Sequence, residues 1–152
     1  YEELFNIKEV EDYKDHVWDT SEYLMMRNAK GMLVKSFGTI KKNVAYHTAC
    51  HLKVQGFGRP SLDLLKFVPG VEVEDLQGGC CGLSGVYGYK KETAPIGRVI
   101  GTTLREKLTA SEADVGLSEC NICRLQMENG TGKKAIHPLM LLRDSYRKRA
   151  NG

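Results

Sequence analysis

Val71-Glu72-Val73-Glu74-Asp75-Leu76-Gln77-Gly78-Gly79-Cys80-Cys81-Gly82-Leu83-Ser84-Gly85 changes character halfway along. Its first six residues alternate apolar and acidic side chains, the period of a half-buried strand. A glycine-rich loop with two adjacent cysteines follows. Neighbouring cysteines cannot pair with each other without severe strain, because a disulfide needs well-separated Cα atoms and a particular torsion. The flanking glycines permit tight turns and present bare backbone N–H groups. Such a loop suits close wrapping of a bound group, and two neighbouring sulfurs point to a metal cofactor.

Outward from this stretch the pattern repeats. Upstream, Val44 to His47 reads as a strand and Gly56 to Arg59 as a loop. Pro60 then opens a helix that closes at Pro69-Gly70. Downstream, Ile96, Val99, Ile100, Leu104 and Leu108 recur at spacings of three and four, which predicts one helix over 94–108. Ala113 to Ser118 reads as a third strand, and Asn121 to Asn129 as a helix. Lys134 to His137 is a fourth strand, leading into a last helix from Pro138. Alternating strands and helices joined by short turns imply βαβ units with right-handed crossovers. The expected fold class is α/β: a three-layer domain with a short parallel sheet of about four strands flanked by helices. Residues 41–152 are assigned to it.

Residues 1–40 contain no cysteine and read as a helical lead-in. Asp19-Thr20-Ser21-Glu22 resembles a capping box opening a helix over Glu22 to Lys30, ended by Gly31. Trp18, Tyr23, Leu24, Met25 and Met26 are its expected packing surface.

In a parallel sheet of this kind the site lies beyond the carboxyl ends of the strands. Cys50 follows the first strand, Cys80 and Cys81 the second, and Cys120 and Cys123 the third, so all five cysteines fall on one edge. Cys120 and Cys123 also stand at a helix start, where free N–H groups stabilise thiolate charge. Cys120-Asn121-Ile122-Cys123 alone fits redox, zinc or iron-sulfur chemistry. With the doublet and a fifth cysteine it becomes a metal-site signal. Four thiolates suit zinc and a four-iron cluster equally well. The fifth exceeds what a closed zinc site needs, and favours a larger iron-sulfur assembly or a four-thiolate site with one cysteine free.

The composition narrows the partners. At 152 residues, 41% hydrophobic and 27% charged, the sequence is that of an ordinary globular domain. It contains no apolar run near the ~18 residues of a transmembrane helix. The net charge of +3 divides unevenly, −3 over residues 1–40 and +6 over 41–152. No aromatic-studded basic stripe accompanies the excess, which argues against nucleic acid. Residue 1 is tyrosine and no leader pattern precedes the body, so the sequence is expected to be a piece of a longer polypeptide. An odd cysteine count with an adjacent pair argues for a reducing compartment, so a cytoplasmic location is expected.

The run Cys50, 29 residues, Cys80-Cys81-Gly82, then Cys120-x-x-Cys123 after 38 residues from Cys81 resembles the cysteine-rich CCG domain of heterodisulfide reductases, lactate-utilisation proteins and related Fe-S oxidoreductases. Val44-Ala45-Tyr46-His47-Thr48-Ala49-Cys50-His51, the Cys80 to Glu92 stretch, Asp114 through Cys123, Gln126-Met127-Glu128 and His137-Pro138 are similar to the C-terminal part of the subunits C of anaerobic glycerol-3-phosphate dehydrogenases. The resemblance implies a [4Fe-4S] cluster, non-cubane in the best-understood members, with zinc in some CCG domains. The implied ligands are Cys50, Cys80, Cys81, Cys120 and Cys123. The implied activity is electron transfer as part of an oxidoreductase, from a flavin-containing dehydrogenase subunit towards membrane quinone, without a substrate-oxidising site of its own. The corresponding location is the cytoplasm or the inner face of the cytoplasmic membrane. Two alternatives stay open: a zinc-binding structural module, and cluster-based thiol or disulfide reduction as in heterodisulfide reductases.

Around the ligands, Gly79 and Gly82 are expected to approach the cofactor closely and donate N–H···S bonds that tune it. His47 and His51 flank Cys50 as hydrogen-bonding, ligand or proton-relay candidates. His137 is expected to position the last helix, Lys90-Lys91 to be a solvated pair, and His16 to lie on the surface. Gly130-Thr131-Gly132-Lys133 lacks the strand and spacing of a phosphate loop and reads as a helix end.

Overall fold

The computed structural model describes residues 8–14 and 16–150, so the first seven residues of the expected lead-in lie outside the described residues. The chain divides into two compact units, Tyr1–Val34 and Lys35–Gly152.

The first unit holds α1 (Lys8–Lys14), which the sequence pattern did not indicate, and α2 (Thr20–Ala29). Asp19 caps α2: its carboxylate accepts from the Ser21 N–H at 2.8 Å and the Glu22 N–H at 3.4 Å. The Asp19 N–H donates back to Glu22 at 3.2 Å. This reciprocal box, of the kind that contributes about 1 kcal/mol, starts the helix two residues before the expected Glu22. Gly31, at φ 68°, follows the helix end. The expected packing surface holds only in part. Leu24, Met25 and Met26 are half-buried, whereas Trp18 and Tyr23 remain 43% and 41% exposed. Trp18 precedes the cap and so lies off the helix. Tyr23 sits two residues, about 200°, from the buried Ser21, on the opposite side.

The second unit continues through β1 (Lys42–Tyr46), α3 (Cys50–Lys53), α4 (Pro60–Leu65), β2 (Val71–Asp75), a 3₁₀ turn at Tyr87–Tyr89, α5 (Ala94–Ile100) and α6 (Thr102–Ala110). It ends with β3 (Val115–Leu117), α7 (Asn121–Thr131), β4 (Ala135–Ile136) and α8 (Pro138–Ala150). The four strands form one sheet in the order β2-β1-β3-β4. Every pairing is parallel; Val44 stands opposite Val73 on one side and Val115 on the other, and Leu117 opposite Ile136.

Alternation along the strands divides the core between the two faces. Val44, Tyr46, Val115 and Leu117 meet Leu65 and Leu141 of α4 and α8. Ala45 belongs to the other core, with Leu104 and Leu108 of α6 and Cys123 and Met127 of α7. The result is the expected three-layer α/β arrangement. Among the described residues no helix is long and apolar enough to cross a membrane.

One expected element divides. The single helix over 94–108 is two helices, α5 and α6, meeting at Gly101. Leu104 and Leu108 are fully buried as expected, each a side chain of the kind that contributes about 2 kcal/mol. Ile96, Val99 and Ile100 instead stay 49%, 75% and 47% exposed. The buried residue of α5 is Gly97, whose backbone lies so close to the cysteine loop that a Cβ there would stand 2.7 Å from the Gly82 carbonyl oxygen. Backbone-on-backbone packing, not an apolar stripe, seats this helix.

Candidate metal centre

The strand order places β1 next to β3, and the chain leaves these two strands in diverging directions, which opens a crevice at their carboxyl ends. The His47 N–H extends the β1–β3 ladder to the Leu117 carbonyl at 2.8 Å, and the Leu76 N–H extends β2 onto Tyr46 at 2.9 Å. Three exits are thereby fixed side by side, and each carries cysteine.

At the β1 exit His47, Thr48 and Ala49 are buried, and Cys50 begins α3 as an exposed residue. His51 beside it is exposed. The His47 ring is held neutral, its pKa lowered to about 4 by burial and then by the nearby Lys53 ammonium, with Asp75 opposing weakly.

At the β2 exit the loop is shaped by the backbone. Gln77, Gly79, Gly82, Ser84 and Gly85 all have positive φ. Gly79 meets open space, but a Cβ on Gly82, at φ 87°, would lie 2.0 Å from the Gly97 carbonyl oxygen. Only glycine fits Gly82's position. The Gly82 N–H donates to the Cys80 sulfur at 3.3 Å, the kind of N–H···S bond expected of this residue. Cys80 is half-buried and Cys81 buried.

At the β3 exit, side chains do the holding. Cys120 caps α7 and Cys123 lies in its first turn, 2% exposed. Arg124 reaches back to the carbonyl oxygens of Ser118 at 2.8 Å and Glu119 at 2.9 Å, and to Asn121 Oδ1 at 3.2 Å. The buried Tyr46 hydroxyl donates to Glu119 Oε1 at 2.8 Å. Neither Arg124 nor this Tyr46–Glu119 pair was singled out in the sequence, and only their closeness to the cysteines there hints at a role.

Three of the five sulfurs meet. The Cys123 thiol interacts with both Cys81 and Cys120. The Cys81 thiol is pulled down, first by its hydrogen bond with Cys123 and then by the backbone N–H groups of Leu83 and Ser84, against the cost of burial. Cys123 is pushed up by the same bond, by burial and by the charge on its neighbours. The protein thus stabilises one thiolate, on Cys81, with its partner thiol as donor. Cys50 and Cys80 are not part of this contact set, and among the described residues no three His, Cys, Asp or Glu side chains are arranged around a single metal ion. Near Cys120, the Ser118 hydroxyl and Glu119 Oε2 are buried without a hydrogen-bond partner among the described residues. Soft sulfur donors, backbone N–H groups aimed at sulfur and orphaned polar atoms beside Cys120 are together a donor set that fits a thiolate-bound metal group.

The cysteine-rich domain family CCG matches residues 44–128, a span containing all five cysteines. The chain belongs to the CCG family. Two relatives, the anaerobic glycerol-3-phosphate dehydrogenase subunits C of Escherichia coli strains K12 and O157:H7, are each 32% identical to this CCG domain over 142 residues, 93% of the chain and 35% of the relative. An uncharacterized iron-sulfur protein of Methanocaldococcus jannaschii is 24% identical over 119 residues, 78% of this chain and 24% of that protein. The chain therefore spans about a third of the length of the first two relatives and a quarter of the third.

His137, half-buried, accepts the Leu139 N–H on Nδ1 at 3.1 Å at the start of α8, which agrees with a positioning role. His16, Lys90 and Lys91 are exposed. Gly132, at φ 71°, closes α7 as a left-handed cap, in line with a helix end at 130–133.

Proposed function

We propose that this CCG domain binds an iron-sulfur cluster through Cys50, Cys80, Cys81, Cys120 and Cys123 and serves as an electron-transfer domain of an oxidoreductase. The observation that carries the reading is the convergence of Cys81, Cys120 and Cys123, from two strand exits, into one set of interacting sulfurs. A four-iron, non-cubane cluster is the proposed form on the resemblance to the Fe-S oxidoreductases that carry CCG domains; five thiolates also exceed the needs of a single tetrahedral ion. When bound, such a cluster supplies a one-electron carrier whose potential the protein sets.

The residues have separate tasks. The Cys81 thiol is pulled down by its hydrogen bond with Cys123 and by the N–H groups of Leu83 and Ser84, which favours the thiolate form that a metal takes up. Gly82 brings an N–H to Cys80 and allows the close backbone approach that shields the loop from water. Arg124 and the Tyr46–Glu119 pair orient the segment bearing Cys120. Gly79 precedes Cys80 directly, and His47 and His51 flank Cys50 in the chain. The similarity to glycerol-3-phosphate dehydrogenase subunits C supports a place between a flavin-containing dehydrogenase subunit and membrane quinone, on the cytoplasmic side.

Anaerobic purification followed by iron, sulfide and zinc analysis tests the proposal. Brown protein with about equal iron and acid-labile sulfide, and an EPR signal on oxidation or reduction, is expected. Colourless protein holding one zinc and no sulfide after reconstitution overturns it, and establishes a structural zinc module instead.

A further inference from the structure

Beside the sulfur set, and lined by none of the cysteines, a cavity of about 500 Å³ opens between the exits of β1 and β2. That volume lies within the range of small-molecule sites. Its wall combines His47 and Thr48 from the end of β1, Lys53 from α3, Arg59 from the loop before α4, and the backbone of Gly78 and Gly79.

Two features of the wall point to a ligand. The His47 side chain is 1% exposed and lines the cavity. A neutral imidazole offers one ring nitrogen as donor and the other as acceptor. Facing the same space, Lys53 forms no ion pair among the described residues. Arg59 is anchored through Nη1 to the Asp75 carboxylate, which holds its guanidinium in one place and leaves its other N–H groups free to donate. The cavity thus offers one unneutralised cation, one oriented guanidinium and a neutral ring nitrogen on its floor.

We propose that this cavity binds a small molecule through an oxyanion end, a phosphate or a carboxylate, gripped between Lys53 and Arg59 and hydrogen-bonded by His47. Charge-assisted bonds from an ammonium and a guanidinium select an anion. The buried ring adds direction, and cavity volume remaining beyond the oxyanion accommodates the rest of the molecule. Asp75 on the same wall disfavours an anion of large negative charge, so a monoanion or dianion fits best. The ligand would lie against Gly78-Gly79, directly before Cys80.

Equilibrium dialysis and calorimetry on anaerobically prepared protein test this, with inorganic phosphate and acetate as separate probes at constant ionic strength. Saturable binding of at least one probe is expected at one site per chain. Preference for phosphate or acetate identifies which oxyanion the site takes. Lys53→Gln should weaken that binding at least tenfold, His47→Phe should weaken it comparably, and Lys66→Gln, on the far end of α4, should leave it unchanged. No saturable binding of either probe below about 10 mM, an affinity too weak for a specific site, overturns the proposal. So does equal weakening by Lys53→Gln and Lys66→Gln, which would indicate only general attraction to positive charge. Iron and zinc are measured on the same samples, so loss of the oxyanion site and failure of the iron-sulfur reading are separate results.

Discussion

The loop of residues 77–85 and the segment of residues 118–124 bring cysteines to the same sheet edge and are held there by opposite means. The first is built from backbone: five residues of positive φ, N–H groups aimed at sulfur, and Gly82 packed against the main chain of α5. The second is built from side chains, with Arg124 clamping two carbonyl oxygens and Tyr46 tethering Glu119. The difference predicts how each fails. A backbone-built loop breaks where a single added methyl group would meet another stretch of main chain. A side-chain-built segment loses its supports one at a time.

Gly82→Ala should have the largest effect. Its Cβ would lie 2.0 Å from the Gly97 carbonyl oxygen, and its φ of 87° is unfavourable for any L side chain. A loss above about 4 kcal/mol is expected, or failure to fold, together with loss of metal binding. Gly79→Ala isolates the conformational part, because φ there is 73° but nothing lies within 4 Å; about 1 kcal/mol is expected. Urea unfolding of the two variants makes the comparison, and equal losses at both positions would show that the close approach to α5 is not what fixes the loop.

This contrast also explains what the sequence disclosed. The strands and most helices were legible because their periods are long and unbroken: Val71–Asp75 alternates, and Leu104 and Leu108 mark α6. The position of all five cysteines at strand exits followed from that order alone. The break at Gly101 and the exposure of Ile96, Val99 and Ile100 did not, since spacing cannot reveal that α5 packs through Gly97 against Gly82 and Gly88. Long-range side-chain supports were equally hidden. Tyr46 and Glu119 are 73 residues apart, and nothing local marks them as partners. Which sulfurs touch was likewise not in the spacing: Cys81 and Cys123 interact while Cys50, equally well placed in the chain, stays exposed.

The exit of β1 lies between the two regions, and His47 provides a pH test of it. Burial and Lys53 lower its pKa to about 4 from 6.5. As pH falls below 6.5 the unfolded chain takes up the proton first, so stability is lost between pH 6.5 and 4, by about 3 kcal/mol in all. From pH 7.5 to 5 the protein should lose about 2 kcal/mol more than His47→Gln in urea unfolding. Parallel losses in both proteins would mean that the ring is not held neutral, and that the exit is looser than either neighbour.

Arg124→Met should cost about 2 kcal/mol, since it keeps the apolar stem but removes the donors to Ser118, Glu119 and Asn121. The loss should be confined to its own segment. In protein stripped of metal, Cys120 should react faster with a thiol reagent while Cys80 keeps its rate, and equal acceleration at both would mean that the two regions are not independently supported.

Tyr46→Phe should have the smallest effect, about 1 kcal/mol, because the ring is kept and one hydrogen bond to Glu119 is removed. Its size depends on pH. Burial and the Glu119 charge raise the Tyr46 pKa far above its ordinary 10, so the folded protein keeps the phenol protonated where the unfolded chain does not. The sign follows: the hydroxyl's contribution is complete below pH 10 and is lost as pH rises beyond it. The stability advantage of the native protein over Tyr46→Phe should therefore shrink between pH 10 and 11. An advantage that stays constant across that range would mean that the tether is exposed to water, and that the Cys120 segment rests on Arg124 alone.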